Sequence, residues 1–193
     1  MFQQFFQFTN HFTPFSTAEK AIIENDLVYR EVPKKFLLVK INDICQELYF
    51  MNKGCARLYY DKDGEEITGF FFTENMTLGG LESFLSKTPS IQGIETLEPC
   101  KLIVIKKEVL EKWFQEIPRM HIFFRKLLEQ RFIFSQKVVA SYILNSPEER
   151  YLGLFQRQPE LLNRVPQHML ATYLGITPVS LSRIRKRIFE MKK

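Results

Sequence analysis

The sequence has few of the residues that mark disulfide-bonded, metal-binding or membrane-spanning proteins. Its three cysteines, Cys45, Cys55 and Cys100, are odd in number and widely spaced, and none belongs to a C-x-x-C pair. Neither a disulfide framework nor a zinc or iron–sulfur site is indicated, and a reducing cytoplasm suits such a chain best. The three histidines are too scattered to suggest a metal or haem ligand. No uncharged apolar run approaches the roughly 20 residues of a membrane span.

The first eighteen residues contain no charge. Glutamine and asparagine interrupt their apolar run, and no basic segment precedes it, so a signal peptide is not predicted. With 193 residues, 45% apolar and 25% charged, the chain is expected to form one or two folded domains in the cytoplasm. The 19 phenylalanines predict an interior built largely from aromatic rings.

The positive charge is concentrated near the C-terminal end. Residues 1–145 contain 18 basic and 18 acidic side chains, whereas residues 146–193 contain nine basic and four acidic ones. A basic terminal block most often indicates a polyanionic partner. A solubilising basic tail is the alternative interpretation.

The hydrophobic pattern predicts helices first, then a series of short strands. Ser16 and Glu19 form the S-x-x-E pattern of a capping box, which begins a helix. From residue 28 to about 106, β-favouring runs separated by turn residues predict an antiparallel β-roll with no intervening helix. Asp63 and Gly64 predict a tight hairpin within it.

A long helix free of glycine and proline is predicted from Arg119 to about Asn145. Its apolar residues fall on two faces, which predicts one contact with its own β-domain and another with the same helix of a second subunit. Burial within a monomer is the alternative. The residues assigned to this dimerisation helix are Met120, Phe124, Leu127, Phe134 and Val138, which share a face with Tyr142, while Ile122, Ile133 and Leu144 lie nearly opposite.

Residues 165–187 have the layout of a helix-turn-helix. Gly175 supplies the turn, Thr177 is a favoured N-cap and Pro178 a favoured first helical residue. The second helix exposes basic and small polar side chains, which suits the major groove of double-stranded DNA. An ordinary α-hairpin with a solvated charged face is the alternative. The predicted DNA contacts are Gln167, Thr177, Val179, Ser180, Ser182, Arg183, Arg185, Lys186 and Arg187.

Four sequence segments carry a resemblance to a known family: LYFMNKG at 48–54, LGGLE at 78–82, LEPC at 97–100 and YLGITPVSLSR at 173–183. With them, essentially the whole chain resembles the Crp/Fnr family of bacterial transcription regulators. The sequences of residues 81–85 and 176–185 are similar to those of the variety of this family that is common in Bacteroidetes.

The resemblance implies an α+β fold in three parts. An antiparallel β-roll of the cyclic-nucleotide-binding type, a double-stranded β-helix, would occupy residues 1–118. A dimerisation helix would follow over 119–145, and a winged helix-turn-helix over 146–193. The implied partners are double-stranded DNA, a second copy of the chain and RNA polymerase.

The phosphate-binding segment departs from that of the cyclic-AMP-binding members. There a glutamate binds the ribose and an Arg-Ser pair holds the cyclic phosphate, whereas the aligned positions here are Gly80, Ser90 and Ile91. A buried phosphate without a cation is costly. No cofactor is therefore predicted, and the effector pocket is expected to be vacant, apolar or adapted to another ligand. The residues assigned to it are Gly79, Gly80, Leu81, Glu82, Ser90 and Ile91.

In the second helix of the helix-turn-helix, two positions that are often Arg and Glu in the family are Pro178 and Val179, while Arg183 is retained. Arg183 is expected to donate to guanine, and Val179 to pack on a thymine methyl group. The predicted function is a homodimeric, sequence-specific transcription regulator. A ligand-binding signalling module that acts through protein contacts is the alternative. No catalytic residue is predicted, since the sequence offers neither closely spaced metal ligands nor a nucleophile beside a base.

Overall fold

The structure, a computed structural model, describes residues 1–190. The chain forms two compact units. The first, here called the roll unit, comprises residues 1–58 and 71–132, and the second, the C-terminal unit, comprises residues 59–70 and the chain from residue 133 onward. This division lies inside the long helix, whereas the predicted domain boundaries, after residues 118 and 145, lie at its two ends.

Two helices begin the roll unit, α1 (Gln3–Asn10) and α2 (Thr17–Asp26). The predicted capping box is confirmed: the Ser16 hydroxyl accepts from the amide of Glu19, and the Glu19 carboxylate accepts from the amide of Ser16. Phe5 of α1 is buried and packs edge-on against Phe50, with 5.5 Å between ring centroids. The aromatic interior predicted from composition is thus present at the N-terminal end.

Eight strands form two four-stranded sheets, with strand orders β1-β8-β3-β6 and β2-β7-β4-β5. The registered pairs β1–β8, β3–β8, β3–β6 and β2–β7 are antiparallel, which confirms the predicted β-roll. The strands are β1 (Val28–Val32), β2 (Leu37–Val39), β3 (Glu47–Lys53), β4 (Ala56–Lys62), β5 (Glu65–Phe72), β6 (Thr77–Leu78), β7 (Gln92–Thr96) and β8 (Cys100–Lys106).

One helix interrupts this series, so the expectation of strands without an intervening helix was wrong. Helix α3 (Leu81–Ser86) lies between β6 and β7. Its six residues are too few to show a helical period in the sequence. Long-range contacts hold it instead, because Ser83 Oγ accepts from the amide of Cys45 and donates to the carbonyl of Thr88.

The hairpin between β4 and β5 has the predicted geometry. Asp63 and Gly64 have φ angles of 56° and 85°. A two-residue type I′ turn requires positive φ at both positions, which Asp tolerates and Gly adopts freely. The Asp61 carboxylate accepts from the amide of Gly64 across the turn.

Helix α4 (Lys107–Glu116) leads into the long helix α5 (Pro118–Leu144). Met120, Phe123 and Leu127, in the first half of α5, are buried. Although α5 has 27 residues, no helix within residues 1–190 is both long and apolar enough to cross a membrane.

Four helices complete the described chain: α6 (Pro147–Arg157), α7 (Leu161–Arg164), α8 (Gln167–Tyr173) and α9 (Pro178–Glu190). Helices α8 and α9 and the turn between them confirm the helix-turn-helix. No strand follows β8 within residues 1–190, so that part of the chain contains no wing. Between α6 and α8 the chain instead forms α7, because Leu161 and Val165, four residues apart, are both buried.

Candidate nucleic-acid interface and effector region

The turn of the helix-turn-helix is fixed by one glycine and one cap. Gly175 has a φ of +68°, a conformation that side chains with a Cβ rarely adopt. The next amide, of Ile176, donates to the carbonyl of Ala171 at 3.0 Å. Thr177 then caps α9, because its hydroxyl accepts from the amide of Ser180 at 3.2 Å. These local contacts set the direction in which α9 leaves the turn.

Helix α9 has a buried side and an exposed side. Leu181 and Ile184 are buried, as predicted, whereas Ile188 on the same face is only partly buried. Four exposed side chains at helical spacing form what we call the recognition surface: Val179, Ser182, Arg183 and Lys186. At its N-terminal end this surface offers an apolar group and a hydroxyl, followed by two cations. Such an order suits base edges first and phosphates after them.

The other predicted DNA contacts lie around the recognition surface. Gln167 is exposed at the first residue of α8, where its side chain is open to a partner. Thr177 and Ser180 are engaged with each other, their hydroxyls being 3.0 Å apart. Arg185 is partly buried on the side of α9 nearer its buried face. Three of these residues are therefore less available than the sequence suggests.

The cations of α9 differ in their ion pairs. Arg187 is paired with Glu148, a residue in the first turn of α6, at 2.5 Å between Nη2 and Oε2. Lys186 is 3.9 Å from Glu190 one turn further along α9. Arg183 has no ion pair with a residue in the described range. A free guanidinium can donate two parallel hydrogen bonds, so Arg183 is the best placed for a base. Lys192 and Lys193, which add to the predicted basic block, lie outside the described residues.

The turn is supported from α5 and α6 by contacts that the sequence analysis missed. The guanidinium of Arg150 lies 4.9 Å from the ring centre of Tyr142 and donates to the carbonyls of Leu174 and Asn145. The Tyr142 hydroxyl donates to the carbonyl of Tyr173. Burial raises the pKa of Tyr142 to about 12, so this donor keeps its proton at neutral pH. No local pattern links residues so far apart in the sequence.

In the roll unit, the positions aligned with the family's phosphate-binding segment are closely packed. A Cβ placed on Gly80 would lie 3.3 Å from Val39 Cγ1 and 3.4 Å from both Cys45 Cβ and Ser90 Oγ. Ser90 is buried and donates to the carbonyl of Gln92 at 2.8 Å. Gly80 and Ser90 are thus in close contact with each other.

The other residues assigned to the effector pocket point to different places. Ile91 is 62% exposed, and Glu82 also faces solvent. Gly79 and Leu81 line a separate apolar cavity, which is described below. The six assigned residues therefore differ in burial and in side-chain direction, and their role as an effector pocket stays a prediction. Their adjacency in sequence gave no information on side-chain direction.

A buried ion pair within the β-roll was not predicted. Arg57 of β4 is 3% exposed, and its guanidinium lies 2.6 Å from the carboxylate of Glu95 in β7. A buried arginine could have bound a ligand phosphate, but Glu95 already neutralises this one. The two residues are 38 positions apart, so spacing could not have revealed the pair.

The residues assigned to the dimerisation helix divide between covered and accessible positions. Met120 and Leu127 are buried within the roll unit, so they are not available to a second subunit, and Phe124 is partly buried. Phe134 packs on Phe70 within the C-terminal unit, with 5.3 Å between ring centroids, although it is 40% exposed. Val138 is partly buried there as well. This face mainly contacts its own chain.

Other apolar residues of α5 are exposed. Val139 and Ile143, which are four residues apart, form an exposed stripe on one side of the helix within the C-terminal unit. Ile122, Ile133 and Leu144, the second face predicted from the sequence, are also exposed. The accessible apolar surface of α5 thus includes Phe134 but extends well beyond the residues first assigned to the dimer.

Comparisons with known proteins agree with this architecture. Residues 29–116 match the family model described as cyclic nucleotide-binding domain. No curated protein sequence is a significant relative of the chain. Among solved structures, the c-di-GMP-responsive global regulator CLP of Xanthomonas campestris is similar, with a TM-score of 0.72 and 18% identity over 92% of this chain and 93% of that one.

Two further structures share the fold. FixK2 of Bradyrhizobium japonicum has a TM-score of 0.74 at 14% identity, with 86% of each chain covered. A protein of Eubacterium rectale described as a transcriptional regulator of the Crp/Fnr family has a TM-score of 0.70 at 19% identity, covering 92% of this chain and 85% of that one. These similarities extend over both the β-roll and the helix-turn-helix.

Proposed function

We propose that this chain is a sequence-specific, DNA-binding transcription regulator of the Crp/Fnr type, of the variety common in Bacteroidetes, which acts as a homodimer in the cytoplasm together with RNA polymerase. The observation that carries the proposal is the recognition surface of α9, an exposed and capped helix face whose arginine is free of ion pairs in the described chain. The names of the similar structures, a global regulator and a Crp/Fnr regulator among them, support it.

The roles within the recognition surface follow from side-chain chemistry. Arg183 donates to the O6 and N7 atoms of a guanine, and Val179 packs against a thymine methyl group. Lys186, further along α9, contacts a phosphate and contributes affinity without sequence preference. Arg187 stays paired with Glu148 and orients α9 rather than reading a base.

A second copy of the chain is the proposed partner of the exposed stripe on α5. Val139 and Ile143 are 53% and 75% exposed, an unusual state for large apolar groups on one helix face. Two such helices related by a two-fold axis would cover each other's stripes. A symmetric dimer would also present two recognition surfaces to two half-sites on DNA.

Cyclic AMP is not the proposed effector. The close packing of Gly80 against Ser90, and the pairing of the buried Arg57 with Glu95, support this view. Titration calorimetry with cyclic AMP is therefore expected to show no binding in the micromolar range. Micromolar affinity would refute this part of the proposal.

Selection of bound sequences from random DNA tests the proposal as a whole. The expected result is a two-fold symmetric site with half-site centres about 34 Å apart, one helical turn. Failure to bind any DNA, even in dilute salt, would instead favour a signalling module that acts through protein contacts.

Two substitutions test the roles of individual cations on the selected site. Arg183→Ala is expected to reduce discrimination at one base pair by about 1–3 kcal/mol. Lys186→Ala is expected to weaken binding to all sequences and to lower the slope of log affinity against log salt concentration by about one. Arg125→Ala, which removes an exposed arginine of α5, serves as the charge control. Equal losses on specific and random DNA for both α9 variants would contradict the assigned roles.

A further inference from the structure

An apolar cavity of about 40 Å³ lies inside the roll unit. A single water needs roughly 10–15 Å³ on the same measure, so the cavity has room for several non-hydrogen atoms. Its walls come from the N-terminal segment, strands β3, β6 and β8, helix α4 and the first half of α5, and include Phe5, Phe15, Trp113, Phe123 and Leu127.

Arg131 of α5 is the one charged side chain among the described residues that line this cavity. Its Nη1 donates to the carbonyl of Thr77 at 2.7 Å, and its guanidinium lies 5.7 Å from the ring centre of Phe72. Within residues 1–190 it forms no ion pair with a carboxylate. Burial lowers the pKa of Arg131, and no acidic neighbour offsets that effect.

Three of the other polar side chains around the cavity already have partners. Thr9 Oγ1 donates to the carbonyl of Phe6, and the Tyr49 hydroxyl donates to the carboxylate of Glu47. The indole nitrogen of Trp113 donates to Asp26. A guanidinium has five N–H donors. Arg131, which uses one of them on the carbonyl of Thr77, is therefore the cationic donor available to a ligand in this cavity.

We propose that this cavity binds a short-chain monocarboxylate. The carboxylate would accept charge-assisted hydrogen bonds from Arg131, and the hydrocarbon part would lie against the aromatic walls. A neutral apolar ligand would leave the guanidinium without a counter-ion. An inorganic phosphate would place a strongly hydrated anion against phenylalanine rings at a large desolvation cost. The size of the cavity excludes a nucleotide.

Binding by the full-length protein can be measured without DNA, so the result does not depend on the proposed regulatory function. Trp113 is the chain's only tryptophan and lines the cavity, so its fluorescence reports occupancy. Titrations with acetate, propionate and butyrate, followed by fluorescence and calorimetry, are expected to saturate. Butyramide, which matches butyrate in size but lacks charge, is expected to bind at least about tenfold more weakly.

Arg131→Gln tests the cation directly, with Arg125→Gln on the exposed side of the same helix as its matched control. We expect Arg131→Gln to weaken butyrate binding at least about tenfold and Arg125→Gln to leave it unchanged. Equal affinities for butyrate and butyramide, an unchanged affinity in Arg131→Gln, or no saturation in the millimolar range would each overturn the proposal. If Arg131→Gln does not fold, the comparison of the two ligands on the natural protein decides the question.

Discussion

The two halves of helix α5 are similar in composition but differ in what covers them. In the first half, Met120, Phe123 and Leu127 are buried within the roll unit. In the second half, Val139 and Ile143 are exposed although they are as apolar. Apolar periodicity therefore identifies the apolar faces of a helix but does not predict which neighbour covers each face.

The largest expected effect is a loss of stability when a phenylalanine in the first half of α5 is replaced by alanine. The same substitution in the second half is expected to have little effect. Phe123→Ala is expected to lower the free energy of unfolding by about 3–5 kcal/mol, because it opens a cavity in a packed aromatic cluster. Phe123 is 5% exposed and lies within 6.5 Å of the rings of Phe8, Phe12 and Phe15. Urea unfolding at low protein concentration, followed by circular dichroism, measures the loss.

Phe132→Ala is the matched control for this experiment. Phe132 is 64% exposed, so its truncation is expected to change the stability of the dilute protein by no more than about 0.5 kcal/mol. Comparable losses for the two variants would show that the halves of α5 do not differ as described.

The next effect concerns association rather than folding. Ile143→Glu is expected to weaken self-association by about 2–4 kcal/mol, because a two-fold axis would bring the same charge into the interface twice. Sedimentation over a range of protein concentrations measures the change. Ile91→Glu, an equivalent change at an exposed isoleucine of the roll unit, is the control and should have no effect on association. A dimer that is as strong with glutamate at position 143 would place its interface elsewhere.

The features predicted correctly from the sequence are those that local chemistry determines. The capping box at Ser16, the turn at Asp63 and Gly64 and the cap at Thr177 each depend on contacts within a few residues, so the pattern alone identifies them. The β-roll could be predicted because many short strands share one spacing.

The features that were missed depend on contacts between distant segments. Ser90 and Ile91 are neighbours in sequence, yet one is buried against Gly80 and the other faces solvent. The partner of Arg57 lies 38 residues away, and α3 is too short to show a period. An assignment of pocket residues by alignment therefore names a segment without giving the direction of its side chains.

A smaller effect is expected at the start of α6, immediately after the exposed half of α5. The Ser146 hydroxyl accepts from the amide of Glu149, whose carboxylate accepts from the amide of Ser146 in return. Ser146→Ala is expected to cost about 1 kcal/mol of stability. The amide of Glu149 loses its acceptor, and the hydrogen bond from the amide of Ser146 to the Glu149 carboxylate is weakened. Urea unfolding measures it. Ser182→Ala on the recognition surface is the control, and a loss there of equal size would remove the cap as the explanation.

The smallest effect is expected from a substitution of Asp26. Its carboxylate accepts hydrogen bonds from Lys112 Nζ at 2.9 Å and from the indole nitrogen of Trp113. The hydrogen bond from Lys112 holds the pKa of Asp26 below its ordinary value. A carboxyl group with a lowered folded-state pKa stabilises the fold above its unfolded pKa of about 3.9, and this contribution disappears as the pH falls through the folded value.

Unfolding experiments between neutral and acidic pH can detect this contribution. Asp26→Asn is expected to cost less than about 1 kcal/mol near neutral pH, because Lys112 is half exposed and its ion pair is screened by solvent. The difference from the natural protein should shrink as the pH falls below about 4, where the carboxyl group of the unfolded chain is also protonated. Glu24→Gln, a change at an exposed position of the same helix, provides the baseline. A difference that stays constant across this range would mean that Asp26 acts through packing and not through its charge.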